Sequence, residues 1–190
     1  MSKVTFVAAS YKETIEAIPF IFSIISQHDN NWELLIYNDG PNPELKTIVD
    51  NINHPSITYI ERNTNSGYWG HFNRKHALEE LVNTEYLIQC SVQDYYVPYT
   101  LELFNKTIKQ DSFDIVHFDM IHTRPIGGII RTQLKECKID WGSFFIKTKF
   151  AQQVGIDDPT HPHCDGLFAE KCLMFNPKVS KIDAVLLAHN

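Results

Sequence analysis

The sequence predicts one α/β domain, a mostly parallel central sheet with helices on both faces, followed by a smaller α+β half. Short apolar runs of strand length alternate with segments of helical periodicity over residues 1–119, and such alternation builds parallel sheets covered on both sides. That rhythm is lost after Asp119, where Pro125, Gly127 and Gly128 break the chain, so residues 120–190 form the second half. With 190 residues, 43% hydrophobic and 21% charged, the chain has ordinary globular composition and enough mass for one well-filled core.

Residues 4–9 are an apolar run read as a first strand, and Ile15, Ile18, Phe22 and Ile25 recur at helical spacing, with Pro19 tolerable in an early turn. Residues 33–37 (ELLIY) predict a second buried strand, ended by the turn-forming cluster Asn38, Asp39, Gly40 and Pro41. A helix is expected over 44–52, a short strand over 57–60 and an amphipathic helix over 72–81. Residues 86–90 and 114–118 read as strands around a helix at 101–108. Beyond Asp119, residues 129–134 alternate as a half-buried strand does, 150–154 and 165–173 have helical patterns, and 184–188 give a final strand.

The formal charge of −6 disfavours nucleic acid as a bulk partner, because the field of the whole protein repels polyanions. A local basic group remains, Arg62, Arg74, Lys75 and His76, which is enough for a small phosphate ligand. Cys90, Cys137, Cys164 and Cys172 are widely spread and lack the density of a secreted disulfide scaffold, so a reducing compartment is expected. The N-terminal apolar stretch is too short for a signal peptide, and the longest apolar segment, 15–25, is interrupted by Glu16, Pro19 and Ser23. A soluble cytoplasmic protein without a transmembrane segment is the resulting expectation.

In open α/β sheets ligands sit outside the carboxyl ends of the strands. The polar residues there are 10–13, with Ser10, Tyr11 and Glu13, then 38–41, 91–96 and Asp119. Each has a structural alternative. Asp39 before Gly40 and Pro41 makes a good turn by itself, Asp94 and Asp165 suit helix or turn capping, and His189 stands one residue from the end of the sequence. His161, His163, Cys164 and Asp165 form a further cluster that two-residue spacing points to one side; a zinc site competes there with a plain polar loop, and the loop is favoured because four ligands are not evident. Tyr68, Trp69, Tyr95, Tyr96 and Trp141 offer flat faces for stacking on rings, or simply core and rim.

Taken in order, these landmarks resemble the family 2 glycosyltransferases, whose nucleotide-sugar-binding domain is the GT-A fold. The match includes YNDG at 37–40, the set Asn65, Gly67 and Asn73, EYLIQCSVQDYYVP at 85–98, DWGSFFIKTKF at 140–150, HCDGLFAEKCL at 163–173, and a late histidine, His189. It departs at the metal motif, where Ser91, Val92, Gln93 and Asp94 stand in place of a run of carboxylates.

The resemblance implies an inverting enzyme that moves a sugar from a nucleoside diphosphate sugar to a hydroxyl acceptor. It implies Asp165 as catalytic base, Asp39 as a ligand of base or ribose, and Asp94 with His189 holding Mn²⁺ or Mg²⁺. Ser10, Tyr11, Glu13, Asn65, Gly67, Asn73, Arg74, Gln93, Trp141 and Gly142 complete the expected substrate contacts. Residue chemistry fits: inversion needs a carboxylate opposite the leaving group, and the departing diphosphate needs cationic help. Two alternatives stand beside it, a non-catalytic nucleotide-sugar or glycan-binding module, and a nucleotidyltransferase that lacks the usual Gly-rich phosphate loop with a Lys.

Overall fold

The computed structural model describes residues 3–123 and 127–189. Its elements are β1 (Val4–Ser10), α1 (Ala17–Ile25), β2 (Trp32–Asn38), α2 (Pro43–Ile52), β3 (Ile57–Glu61), α3 (His71–His76), β4 (Tyr86–Ser91), β5 (Tyr95–Tyr96), α4 (Thr100–Ile108), β6 (Ile115–His122), β7 (Gly128–Ile130), β8 (Phe144–Lys147), α5 (Thr148–Val154), α6 (Cys164–Leu173) and β9 (Val179–His189). One sheet runs in the order β3-β2-β1-β4-β8-β6-β9-β5, with β7 added to β6. The pairs β3–β2, β2–β1 and β1–β4 are parallel, as is β6–β9. β8 lies antiparallel between β4 and β6, and β5 is antiparallel to β9.

Alternation along each strand sends side chains to two separate cores. Phe6, Ile36 and Ile88 pack with Phe20, Ile21 and Ile24 of α1, Leu45 and Val49 of α2, and Leu101 and Phe104 of α4. Val7, Leu35 and Leu87 face the other side, against Ala77 and Leu78, Ala151 and Val154 of α5, and Phe168, Ala169 and Cys172 of α6. Both faces of the sheet are therefore covered, as the α-β alternation requires.

The structure corrects several local expectations. In α1 the buried stripe is Ala17, Phe20, Ile21 and Ile24, while Ile15 is 73% exposed and Phe22 half exposed. The segment is apolar nearly all round, so periodicity alone does not select the inward stripe. After α3 the chain loosens into a π turn over Ala77–Leu81, closed by Val82 N–H on Ala77 O at 3.0 Å. Of residues 129–134 only the first two join β7, because the Thr132 N–H goes to Asp119 Oδ1 at 2.9 Å instead of to a neighbouring strand. β5 and β8 escaped the sequence reading, being two and four residues long and meaningful only through distant partners. Pro125 lies outside the described residues.

Candidate active site

A cleft of about 660 Å³ opens at the carboxyl ends of β1, β2 and β4, lined there by Ser10, Asp39 and Ser91. This edge gathers the strand ends because β2, β1 and β4 run parallel. Glu13 lies at the cleft, where its carboxylate accepts from Ser10 Oγ at 3.2 Å, from Tyr11 N–H, and from Gln93 Nε2 at 3.1 Å.

Asp39 has a defined local role. Its Oδ1 accepts from the Ser66 N–H at 2.9 Å and Ser66 Oγ at 2.6 Å, and its Oδ2 from Asn65 Nδ2 at 2.8 Å and the Gly67 N–H at 2.9 Å. Four donors fill the acceptor sites of one carboxylate. Asp39 thus pins the 65–67 loop at the cleft wall, and a base or ribose reaches its oxygens only by displacing one of these bonds. Beyond that loop, Tyr68 and Trp69 both sit in the left-handed region, at φ 55° and 53°. Trp69 is 66% exposed while lining the cleft.

Arg74 explains how that loop is held. The guanidinium, 5% exposed, donates Nη1 to Trp69 O and Nη2 to Cys90 O, each at 2.7 Å, and its Nε has no protein acceptor. Both partners are neutral carbonyls, so neither cancels its charge, and it lines the cleft. The rest of the basic group is elsewhere: Lys75 Nζ binds Ile156 O at 2.8 Å, and His76 meets the Tyr37 hydroxyl at 3.2 Å.

Asp140 and His189 also line the cleft, and with the buried Asp94 they offer ligand atoms within 4.8 Å of one another. Asp94, 2% exposed, accepts the Ser91 N–H at 2.8 Å and shares a 2.8 Å hydrogen bond with His189 Nδ1. His189 Nε2 lies 3.8 Å from Asp140 Oδ2. Burial raises the Asp94 carboxyl above its usual range. Burial also opposes charge on His189, but the Asp94 hydrogen bond and the Asp140 charge outweigh it and hold the imidazole up at about 9. Two carboxylates and one imidazole are an oxygen-rich set that fits Mn²⁺ or Mg²⁺.

Sequence reasoning does not place Asp140 in this cluster. It caps the 3-10 turn Trp141–Ser143, accepting the Gly142 N–H at 2.8 Å, in a reciprocal arrangement with Ser143. The available signal was that Asp-x-x-Ser capping pattern in front of the Gly-containing stretch.

Asp165, in the first turn of α6, lines the same cleft, with Oδ1 accepting the Gly166 N–H at 2.7 Å. Burial, aided by Asp140, pushes its carboxyl up to about 6. Trp141 lines the cleft as well, its Nε1 donating to His71 Nδ1 at 3.3 Å. Burial and Arg74 depress His71 to about 3, so the ring is neutral and serves as acceptor.

Three expected site residues are placed elsewhere. Asn73 is fully buried and ties α3 to the end of β2 through Nδ2 on Tyr37 O at 3.1 Å. At Gly142 an added Cβ would meet Asp94 Oδ2 at 3.0 Å and Tyr96 Oη at 3.0 Å, so the missing side chain gives Asp94 room. Asp119 is a buried structural acid held by Arg131 and Lys181, each at 2.6 Å.

The glycosyl transferase family 2 model matches residues 6–171. The chain belongs to that family. No curated protein matches it. Among solved structures, S. aureus TarS 1-349 superposes with a TM-score of 0.83 at 16% identity, over 99% of this chain and 60% of that one. The same protein in complex with UDP-GlcNAc gives 0.76 at 15% identity, over 98% and 58%. The mannosyltransferase PcManGT from Pyrobaculum calidifontis, in complex with GDP-Man and Mn²⁺, gives 0.75 at 14% identity, over 99% and 56%. The chain therefore has the GT-A fold and spans about 60% of the length of the first of these structures. No helix among the described residues is long and apolar enough to cross a membrane.

Proposed function

We propose that this family 2 domain is an inverting glycosyltransferase that moves a sugar from a nucleoside diphosphate sugar to a hydroxyl acceptor. The observation that carries the reading is one cleft lined by the Asp165 carboxylate, by Asp140 and His189 of the three-residue cluster, and by the anchored loop at Asn65 and Gly67. Family membership and the UDP-GlcNAc and GDP-Man complexes of its structural neighbours support a nucleotide-sugar donor.

In this reading Asp165 accepts the acceptor's hydroxyl proton on Oδ2, since Oδ1 holds the Gly166 N–H. The acceptor oxygen forms a bond to the anomeric carbon as the bond to the diphosphate oxygen breaks, and the configuration inverts in that single displacement. Its raised proton affinity, about 6, makes Asp165 a better base than an ordinary carboxylate while leaving it ionised at neutral pH. Arg74, fixed by hydrogen bonds to neutral carbonyls, presents its positive charge to the cleft and stabilises charge on the leaving group. Asp94, Asp140 and His189 would hold a divalent ion, which when bound offsets diphosphate charge; the Mn²⁺ complex of one neighbour supports Mn²⁺, with Mg²⁺ the other oxygen-preferring choice. The four cysteines, all free thiols, support a reducing, cytoplasmic setting.

The test is release of nucleoside diphosphate from UDP- and GDP-sugars with Mn²⁺, across a panel of hydroxyl acceptors, with the product anomer assigned by NMR. Inverted product supports the assignment. Retained configuration overturns the mechanism. Tight nucleotide-sugar binding with no turnover for any acceptor instead makes the domain a binding module.

A further inference from the structure

We propose that Glu136, Cys137 and His163 form a second divalent-metal site, selective for Zn²⁺, that clamps the turn preceding Asp140 to the start of α6. Their ligand atoms lie within 4.8 Å of one another, and Cys137 Sγ is 4.0 Å from His163 Nδ1. None of the three lines the cleft described above.

The sequence drew attention to His163 beside Cys164, but Cys164 is buried and burial pushes its thiol up to about 12. The thiol that faces the imidazole is Cys137, 26 residues earlier and exposed. It belongs to a turn fixed on several sides. Lys138 N–H bonds Lys135 O at 3.0 Å, Gln133 N–H bonds Lys138 O at 3.0 Å, and Glu136 N–H bonds the Glu170 carboxylate of α6 at 2.9 Å. At Gly166 an added Cβ would stand 2.5 Å from Glu136 Cα, so turn and helix are in backbone contact. Cys137 itself is in the left-handed region at φ 58°, a conformation a non-glycine residue adopts at some cost. The segments bearing the ligands are thus held together before any ion arrives, which removes much of the ordering cost of binding.

Donor chemistry selects the ion. A thiolate with an imidazole and a carboxylate suits the borderline-soft Zn²⁺, whereas Mg²⁺ prefers oxygen alone. Binding converts the Cys137 thiol to a thiolate and releases one proton to solvent, and three protein ligands leave a fourth position for water. The ion would bridge to a residue two positions before Asp165, fixing the first turn of α6.

Cobalt(II) is the probe, because a thiolate ligand gives a near-ultraviolet charge-transfer band that an all-oxygen and imidazole site lacks. Cys90, Cys164 and Cys172 are buried, so such a band reports Cys137. The full chain in excess Mg²⁺ is expected to take up one thiolate-bound Co²⁺, displaced by Zn²⁺. The band should vanish in Cys137→Ser, and Zn²⁺ affinity should fall at least ~10-fold in His163→Ala, given that even losing a partner behind a metal ligand costs ~10–100-fold. Asp94→Asn should leave both unchanged. Independently, Zn²⁺ should slow alkylation of Cys137 by iodoacetamide, and a chelator should restore it. No charge-transfer band at saturating Co²⁺, a band that survives Cys137→Ser, or alkylation indifferent to Zn²⁺ would each overturn the proposal. Because none of these readouts measures sugar transfer, they are independent of the catalytic assignment.

Discussion

At the scale of single residues, the site is governed by how burial and neighbouring charge set each carboxylate. Asp165 binds its proton more tightly in the folded chain, at about 6, than an unfolded aspartate does at ~3.9. The folded state therefore holds the extra proton between these values, stability declines as pH rises through that window, and the loss is complete above about pH 6. We predict that Asp165→Asn raises the melting temperature at neutral pH while turnover falls ~10²–10⁴-fold and donor affinity is kept. Calorimetry beside a turnover assay checks this; lowered stability with near-normal turnover would remove Asp165 from the role of base. A carbon-detected NMR titration should place its midpoint near 6 without divalent ion and lower with Mg²⁺, which offsets the Asp140 charge.

Asp140 deserves equal weight with Asp94, since both belong to the cluster with His189. On the proposed ligand set, three protein ligands would leave half of an octahedral shell to fill, so divalent-ion binding should be strongly coupled to nucleotide diphosphate, whose oxygens would complete it. Asp140→Ala and Asp94→Ala are each expected to abolish that coupling in titrations of Mn²⁺ with and without nucleotide. Equal Mn²⁺ affinity in either variant and the parent would reject the ligand set.

At the scale of elements, the segment from Asn65 to Gly70 joins β3 to α3 and works as a preformed wall. Asp39 secures one end through four hydrogen bonds, and Arg74 secures the other through the Trp69 carbonyl. Gly70 makes the bend possible: its φ is 74°, and an added Cβ would lie 2.6 Å from that of Ala9. Two adjacent aromatic residues are held at positive φ, a conformation with a local cost, and one of them is two-thirds exposed in the cleft. The Trp69 ring is 6.0 Å from His71, whose ring is 6.2 Å from Trp141, so the indole begins an aromatic line ending at Trp141, which lines the cleft that Asp165 also lines. We predict that Trp69→Ala raises acceptor KM by roughly tenfold, the loss of one ring-stacking contact of ~1–1.5 kcal/mol, while nucleotide affinity stays put. A weakened nucleotide with unchanged acceptor KM would move the indole to the donor side. Asp39→Ala is expected to destabilise the fold by about 2 kcal/mol, because the part-buried donors of Asn65, Ser66 and Gly67 lose a charged acceptor. Nucleotide affinity should fall with it through the loosened loop, and an unaltered denaturation midpoint would show the four bonds to be dispensable.

At the scale of the whole molecule, the sheet brings the two halves of the chain to one cleft. β9 runs beside β6 and ends with Ala188 opposite Tyr95 and His189 opposite His122, which is how a residue near the end of the sequence reaches Asp94. Truncation after Val185 should unpair β5, lower the melting temperature and eliminate nucleotide-coupled divalent binding together. Coupled binding that persists in the truncated chain would show that His189 is not a ligand.

The sequence by itself determined the alternation of strands and helices, the polar strand ends that border the cleft, and Asp165 at the start of its helix, because each depends on short-range periodicity or turn chemistry. It also carried the order of motifs that marks the family. What it left open was decided by contacts between residues far apart. Ile15 and Phe22 fit a helical stripe as well as Phe20 and Ile24 do, and only the sheet's position chose which was buried. Asn73 sits in the right motif but turns its amide into the interior, since motif order fixes where a residue stands along the chain and not which way its side chain turns; Gly142 serves there by lacking a side chain beside Asp94. Asp140 and His189 joined Asp94 only when the second half closed against the first, and Cys137 joined His163 only when the 135–138 turn packed on α6 within the second half. Metal-binding geometry is set by distances of a few ångströms between separate segments, and that information exists only in the folded chain.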